Sequence, residues 1–314
     1  MTGTGFASSG SVLFYFLLWL LVLTPVPRTA RAESKFTVDA GASQIEVSVT
    51  TDSLKLSEAQ LRQWIQDAAN AVIAYYGHFP VKHVLLQIRS FEGTGVRGGQ
   101  TFAAHGGFIR IAVGIQTTAD DLHSDWMLTH EMVHLTFPSM PDQNHWIEEG
   151  IATYVEPIAR IQAGQFSASR MWFELVRDMP KGQPQSGDQG LDHTHTWGRT
   201  YWGGALFCFL ADIEIRKQTQ NKKGLQDALR GILDLGGDML QDWDLPRALT
   251  AGDQAVGANV LLKLYEKMRD APMNVDLDAL WKQLGVSVEN GSVQFHDEAP
   301  LAVIRKSISA PRRP

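Results

Sequence analysis

The chain has 314 residues, 44% of them hydrophobic and 20% charged, with a net charge of -6 and a single cysteine. That balance describes an ordinary globular protein able to bury one large core or two smaller ones. Its acidity argues against nucleic acid or an anionic membrane as the main partner, and one cysteine, Cys208, excludes both an intrachain disulfide and a thiolate-rich zinc site.

In chain order, residues 12–23 form an apolar run that is short for a bilayer span, and Ala30-Arg31-Ala32 behind it is a small-x-small cleavage pattern. Residues 1–32 are therefore expected to be a signal peptide. They would be cleaved on export to a periplasm or the exterior, or would act as a membrane anchor if left uncleaved. Alternation in Phe36–Val38 and Gln44–Thr50 predicts strand. Ser57-Glu-Ala-Gln60 reads as a capping box, with Leu56 and Leu61 placed as a staple, opening a helix to about Tyr76 that Gly77 and Pro80 end. Val81–Arg89 and Phe108–Val113 read as strands, and Gly93–Gly99 as a glycine-rich turn.

From Thr118 onward the pattern becomes helical. Thr118–Asp121 is expected to start a helix that Pro138 stops, and Asp142 or Asn144 to cap a second through Trp146–Ile161. A third covers Ser167–Arg177, and Lys181–Asp192 is a loop without apolar periodicity. Helices are then expected over Thr196–Gln218, Leu225–Leu233, Val256–Met268 and Leu277–Leu284, and a hairpin with an Asn-Gly turn over Val286–Phe295. The basic tail, Arg305–Pro314, is expected to be disordered. Strands first and helices after make the fold class α+β: a small mixed sheet beside a mostly helical lobe, within one domain over about residues 33–285.

The chemistry sits in His130-Glu131-Met-Val-His134, a His-Glu-x-x-His pattern. On a helix the two histidines share a face, where they can hold one Zn²⁺ and set Glu131 beside a water that the metal acidifies. A third ligand should come from a neighbouring helix. Glu149, in His145-Trp-Ile-Glu-Glu-Gly-Ile-Ala-Thr-Tyr154, is the candidate, with His145 as an alternative of the right type. A metzincin would carry Gly at position 137 and His at position 140; Phe137 and Met140 exclude that class.

Trp146-x-x-Glu149-Gly-x-Ala-Thr-Tyr154 resembles the glutamate-helix motif of gluzincin metallopeptidases, the zinc aminopeptidases and the glycyl-aminopeptidase-like group among them. Tyr201-Trp-Gly-Gly-Ala205 is similar to the segment of the same families whose tyrosine supports the tetrahedral oxyanion. The resemblance implies a thermolysin-like domain, Zn²⁺ held by His130, His134 and Glu149, Glu131 as general base, Tyr201 as oxyanion donor, and a peptide or protein substrate. The chain departs from the family in three places: a shorter gap between His134 and Glu149, Gly203 in place of a bulky residue, and no Gly-x-Met-Glu-Asn segment before the zinc helix. Gly98–Gly107 offers Gln100 and His105 there but no acid, so aminopeptidase specificity is not implied. Its glycines read as an edge strand or loop open to an extended peptide.

Among the remaining polar residues, His193 and His195 read as assisting electrophiles or helix caps, and Arg199 as a carboxylate binder or the partner of a nearby acid. Thr153 is a candidate support for a ligand histidine. The expected activity is zinc-dependent peptide-bond hydrolysis. The alternatives are a silent exported scaffold of the same fold, or a hydrolase of non-peptide amides or esters.

Overall fold

Alternating burial organises the first part of the chain into a sheet. The computed structural model describes residues 33–50, 54–104 and 106–310, so the segment read as a signal peptide lies outside the described residues. β1 (Glu33–Ala40) and β2 (Ser43–Thr50) pair antiparallel around Gly41, whose φ of 67 is the left-handed turn conformation that glycine allows. β3 (His83–Phe91), β4 (Val96–Phe102) and β5 (Phe108–Gly114) complete a mixed sheet of order β1-β2-β3-β5-β4. β3 runs parallel to both β2 and β5, while β4 is antiparallel to β5 and forms one edge. β4 begins inside the Gly93–Gly99 stretch expected to be a turn and runs into Gly98–Gly107, expected to be an edge strand or loop; it carries a bulge between Arg97 and Gln100.

One face of the sheet buries Ile45, Val47, Val84, Leu86, Ile88, Ile109 and Ile111. α1 (Glu58–Tyr76) starts at the expected capping box, where Ser57 and Gln60 bond reciprocally, and ends at left-handed Gly77. It buries Leu61, Trp64, Ile65, Ala68 and Val72.

The helical part departs from expectation where polar side chains break helices. Thr118 and Asp121 form a capping box, but the helix they start, α2 (Ala119–Ser124), ends within two turns. Asp125 is extended, and its carboxylate accepts the N–H groups of Met127 and Leu128, so the His-Glu helix is a separate element, α3 (Met127–His134). The next helix, α4 (His145–Gln162), follows a short 3-10 turn, and neither expected residue caps it: the Asn144 amide donates to Asp192 instead. α5 spans Ala168–Asp178. The expected helix over Thr196–Gln218 opens as a π turn at Gly198–Gly203 before continuing as α6 (Gly204–Gln218).

α7 (Leu225–Asp234) precedes α8 (Leu245–Val256) and α9 (Leu261–Met268). α8 is not among the expected helices, and the helix expected over Val256–Met268 begins only at Leu261, because Gly257 is left-handed and Asp253 accepts the N–H groups of Val260, Leu261 and Leu262. α10 (Leu277–Leu284) and the hairpin β6 (Val286–Glu289) and β7 (Ser292–Phe295) match expectation, with Asn290 and Gly291 both at positive φ. The tail does not: α11 (Ala302–Ile308) is helical and buries Arg305, with residues 311–314 outside the described part. Among the described residues no helix is long and apolar enough to cross a membrane. The architecture is α+β, with α1 packed against β1, α3 and α4 so that the sheet and the helical part share one core.

Candidate active site

α3 lies against α4 on one side and the edge strand β4 on the other, and this arrangement brings the motif residues together. His130, Glu131 and Glu149 are all buried, at 4, 6 and 7% exposure. Glu149 Oε2 is 3.1 Å from His130 Nε2 and 3.6 Å from His134 Nε2, and one ligand atom from each residue lies within 4.8 Å of the others. Two atoms held about 2.0–2.1 Å from a tetrahedral ion sit about 3.3 Å apart. The two spacings from Glu149 bracket that value, and two imidazoles with one carboxylate is a donor set that suits Zn²⁺. The residues therefore fit the metal.

The electrostatics point the same way. Burial lowers the pKa of His130 and so favours the neutral imidazole that a metal requires. Glu149 is also desolvated, but its bonds to His130, His134 and His145 outweigh burial and hold it well below the usual carboxylate range. His134 is desolvated too, yet Glu149 raises it. A buried carboxylate ringed by imidazoles is a place where positive charge is stabilised. His145, the alternative ligand, stands outside this group: Nδ1 is 3.2 Å from Glu148 and Nε2 3.2 Å from Glu149 Oε1, and these two acids raise its pKa to about 10.

Glu131 faces the edge strand. Thr101 Oγ1 is 2.6 Å from Glu131 Oε2 and 2.9 Å from the Glu131 carbonyl oxygen. The strand can come this close because position 99 is glycine: a Cβ on Gly99 would lie 2.4 Å from Glu131 Oε1. Sequence reasoning named Gln100 and His105 in this segment and missed Thr101. Gln100 instead lies opposite Arg110 in the β4–β5 register, and His105 is outside the described residues. No pattern in the sequence marks Thr101, because the bulge decides which residue reaches the helix.

Tyr201 sits in the π turn with its ring centroid 6.3 Å from that of His130. Burial, and then the charge of Glu149, push its phenol up to about 12, so it remains a protonated donor through the neutral range. The other candidates are drawn elsewhere. Arg199 is fully buried, with Nε 2.7 Å from Asp188, and His193 bonds Asp270 at the surface. Thr196 Oγ1 accepts the Arg199 N–H at the start of the π turn. Thr153 lines a cleft beside His130. The Lys181–Asp192 segment is fastened by Gln183 to Val275, by Leu191 to Met268, and by Asp192, which accepts from Asn144, Trp146 and Tyr265.

No family model and no curated protein matches the sequence. Solved structures do. An aminopeptidase N family protein from Idiomarina loihiensis superimposes with a TM-score of 0.61 at 12% identity, over 82% of this chain and 50% of that one. The chain shares the fold of the matched part of that structure. An M1 zinc metallopeptidase from Deinococcus radiodurans gives 0.49 at 12% identity, over 78% of this chain and 54% of that one. The chain thus spans about half the length of the structures it matches.

Proposed function

We propose that the chain is an exported zinc-dependent peptidase with a thermolysin-like arrangement of its zinc and glutamate helices. The observation that carries the reading is the convergence of His130, His134 and Glu149 at tetrahedral spacing, with Glu131 on the same short helix. His130, His134 and Glu149 hold the metal. Zn²⁺ bound there supplies a Lewis acid that makes a water acidic enough to be deprotonated near neutral pH. Glu131, held by Thr101, takes that proton as the water attacks the scissile carbonyl and delivers it to the leaving amine. The Tyr201 hydroxyl donates to the oxygen on which negative charge develops. β4, the sheet edge beside Glu131 among the described residues, is where an extended peptide can add as a further strand.

Metal analysis of the purified chain, beside Glu149→Ala and Glu131→Gln, tests this reading together with hydrolysis of a quenched-peptide library. The expected result is one equivalent of zinc in the wild type, loss of zinc in Glu149→Ala, and retained zinc with turnover lowered at least a thousandfold in Glu131→Gln. A wild type that binds no zinc overturns the proposal, and undiminished hydrolysis by Glu131→Gln overturns the assigned base. If Glu149→Ala keeps its zinc, Glu149 is not a ligand and His145 becomes the candidate.

A further inference from the structure

A cleft of about 460 Å³ opens beside the candidate metal cluster, with His130 and Tyr201 among its walls. That volume falls within the ~300–1,000 Å³ typical of small-ligand sites and suits one large side chain with its neighbouring backbone. Two tryptophans of this cleft are left in solvent, Trp126 at 49% and Trp197 at 60% exposure. Burying such rings is worth roughly 25 cal/mol per Å² of apolar surface, so leaving two of them open at one mouth marks a binding surface.

Their placement follows from helical periodicity. Trp126 comes four residues before His130, and Trp197 four before Tyr201. Each indole therefore lies over its own site residue: Trp126 edge-on to His130 at 5.4 Å, Trp197 stacked on Tyr201 at 5.8 Å. With Tyr201 stacked 6.3 Å from His130, four rings form one row, His130 and Tyr201 within it and the two exposed indoles at its ends. Pro157, Phe166, Met171 and Leu175 add apolar lining from α4, α5 and their connection.

The charges in the cleft are mutually paired. Glu156 bonds Arg160 at 3.0 Å and Glu174 bonds Arg170 at 3.1 Å. Asp178 serves two cations, Arg177 at 2.5 Å and Lys181 at 2.8 Å, which leaves an excess of positive charge at that rim. Lys181 Nζ also lies 5.7 and 5.9 Å from the ring centroids of Trp197 and Trp202. An entering Lys or Arg side chain finds no spare carboxylate and meets three partly exposed cations; a neutral aromatic ring finds the indoles.

We propose that this cleft is the specificity subsite for the residue flanking the scissile bond, and that it selects bulky aromatic or large aliphatic side chains over cationic and small ones. The inference rests on the peptidase reading, and its test separates the two. The zinc-loaded chain is given blocked peptides that differ only in the residues flanking one bond: Phe, Leu, Ala or Lys. The expected kcat/KM for Phe and Leu exceeds that for Ala and Lys at least tenfold, and Trp197→Ala lowers the Phe-to-Ala ratio about fivefold or more. In parallel, saturation-transfer NMR measures binding of N-acetyl-phenylalaninamide, N-acetyl-alaninamide and N-acetyl-lysinamide, which needs no turnover. Selective binding of the phenylalanine amide, weakened in Trp197→Ala, supports the subsite. Equal binding of all three amides, or preference for lysine, overturns it even in an active peptidase. Selective binding without cleavage of any peptide sinks the hydrolytic reading alone.

Discussion

Glu131 is adjacent to the candidate ligand His130 on α3, but the group that fixes its carboxylate comes from another element. The Thr101 hydroxyl has one proton and two acceptors in reach, the Glu131 carbonyl oxygen and Oε2, and the shorter contact is to the carboxylate. A bond to a charged acceptor contributes about 1.5–3 kcal/mol, which corresponds to roughly 10- to 100-fold in rate if it serves only to hold the base in line. Thr101→Val keeps the β-branched shape that an edge strand accepts and removes only the hydroxyl. Its kcat on a peptide substrate should fall by that factor, with zinc content and KM nearly unchanged, and Thr101→Ser should restore most of the loss. A parallel rise in KM, or a Ser variant no better than Val, would show that the hydroxyl supports the strand and not the base.

At the scale of elements, the site depends on how closely α4 and α6 cross. A Cβ on Gly204 would lie 2.1 Å from the Trp146 carbonyl oxygen and 2.7 Å from the Gly150 Cα, and one on Gly150 would lie 2.3 Å from the Gly204 carbonyl carbon. These contacts are backbone against backbone, so no side chain can yield. Glu149 immediately precedes one glycine, and Tyr201 lies in the π turn that leads into the other, so the crossing sets the spacing between them. Gly204→Ala should lower Tm by several degrees, overpacking costing about 1–3 kcal/mol or more, and should reduce kcat more than zinc content. Retention of both Tm and kcat in calorimetry and steady-state assays would rule out this role for the crossing. The two histidines and Glu149 were legible in the sequence, because helical spacing and the residue types carry those signals themselves. The break before α3 was not. Thr118–Asp121 caps a helix as expected, and only the tertiary placement of Asp125 shows that its carboxylate serves the next helix. The π turn, the bulge that brings Thr101 to Glu131 and the exposed faces of Trp126 and Trp197 were equally hidden, since each depends on which neighbour packs nearby.

At the scale of the whole molecule, the C-terminal segment shows how far the helical part extends beyond the site. Composition alone made Arg305–Pro314 a basic tail, yet α11 seats Ile304 and Ile308 in the core and contacts α6. Arg305 is the clamp. Its guanidinium donates to the carbonyl oxygens of Leu284 at 3.1 Å and Gly285 at 2.6 Å, where α10 ends, and it pairs with Asp297 just after the hairpin. At 3% exposure these bonds are exchanged for water only by unseating α11. Arg305→Met retains most of the apolar stem but leaves the carbonyls of the α10 terminus unpaired. The expected cost is about 2–4 kcal/mol, or roughly 4–16 °C in Tm. Because Arg305 touches none of the candidate ligand residues, zinc content and kcat measured well below Tm should be unchanged, although β6 and β7 pack on α5, which lines the cleft. Calorimetry with parallel metal and activity assays checks both halves. A variant with wild-type Tm would show that the hydrophobic seat of α11 suffices without the clamp. A variant that loses activity at unchanged zinc content would show that the C-terminal segment shapes the substrate cleft through α5, and would extend the functional unit to the end of the described chain.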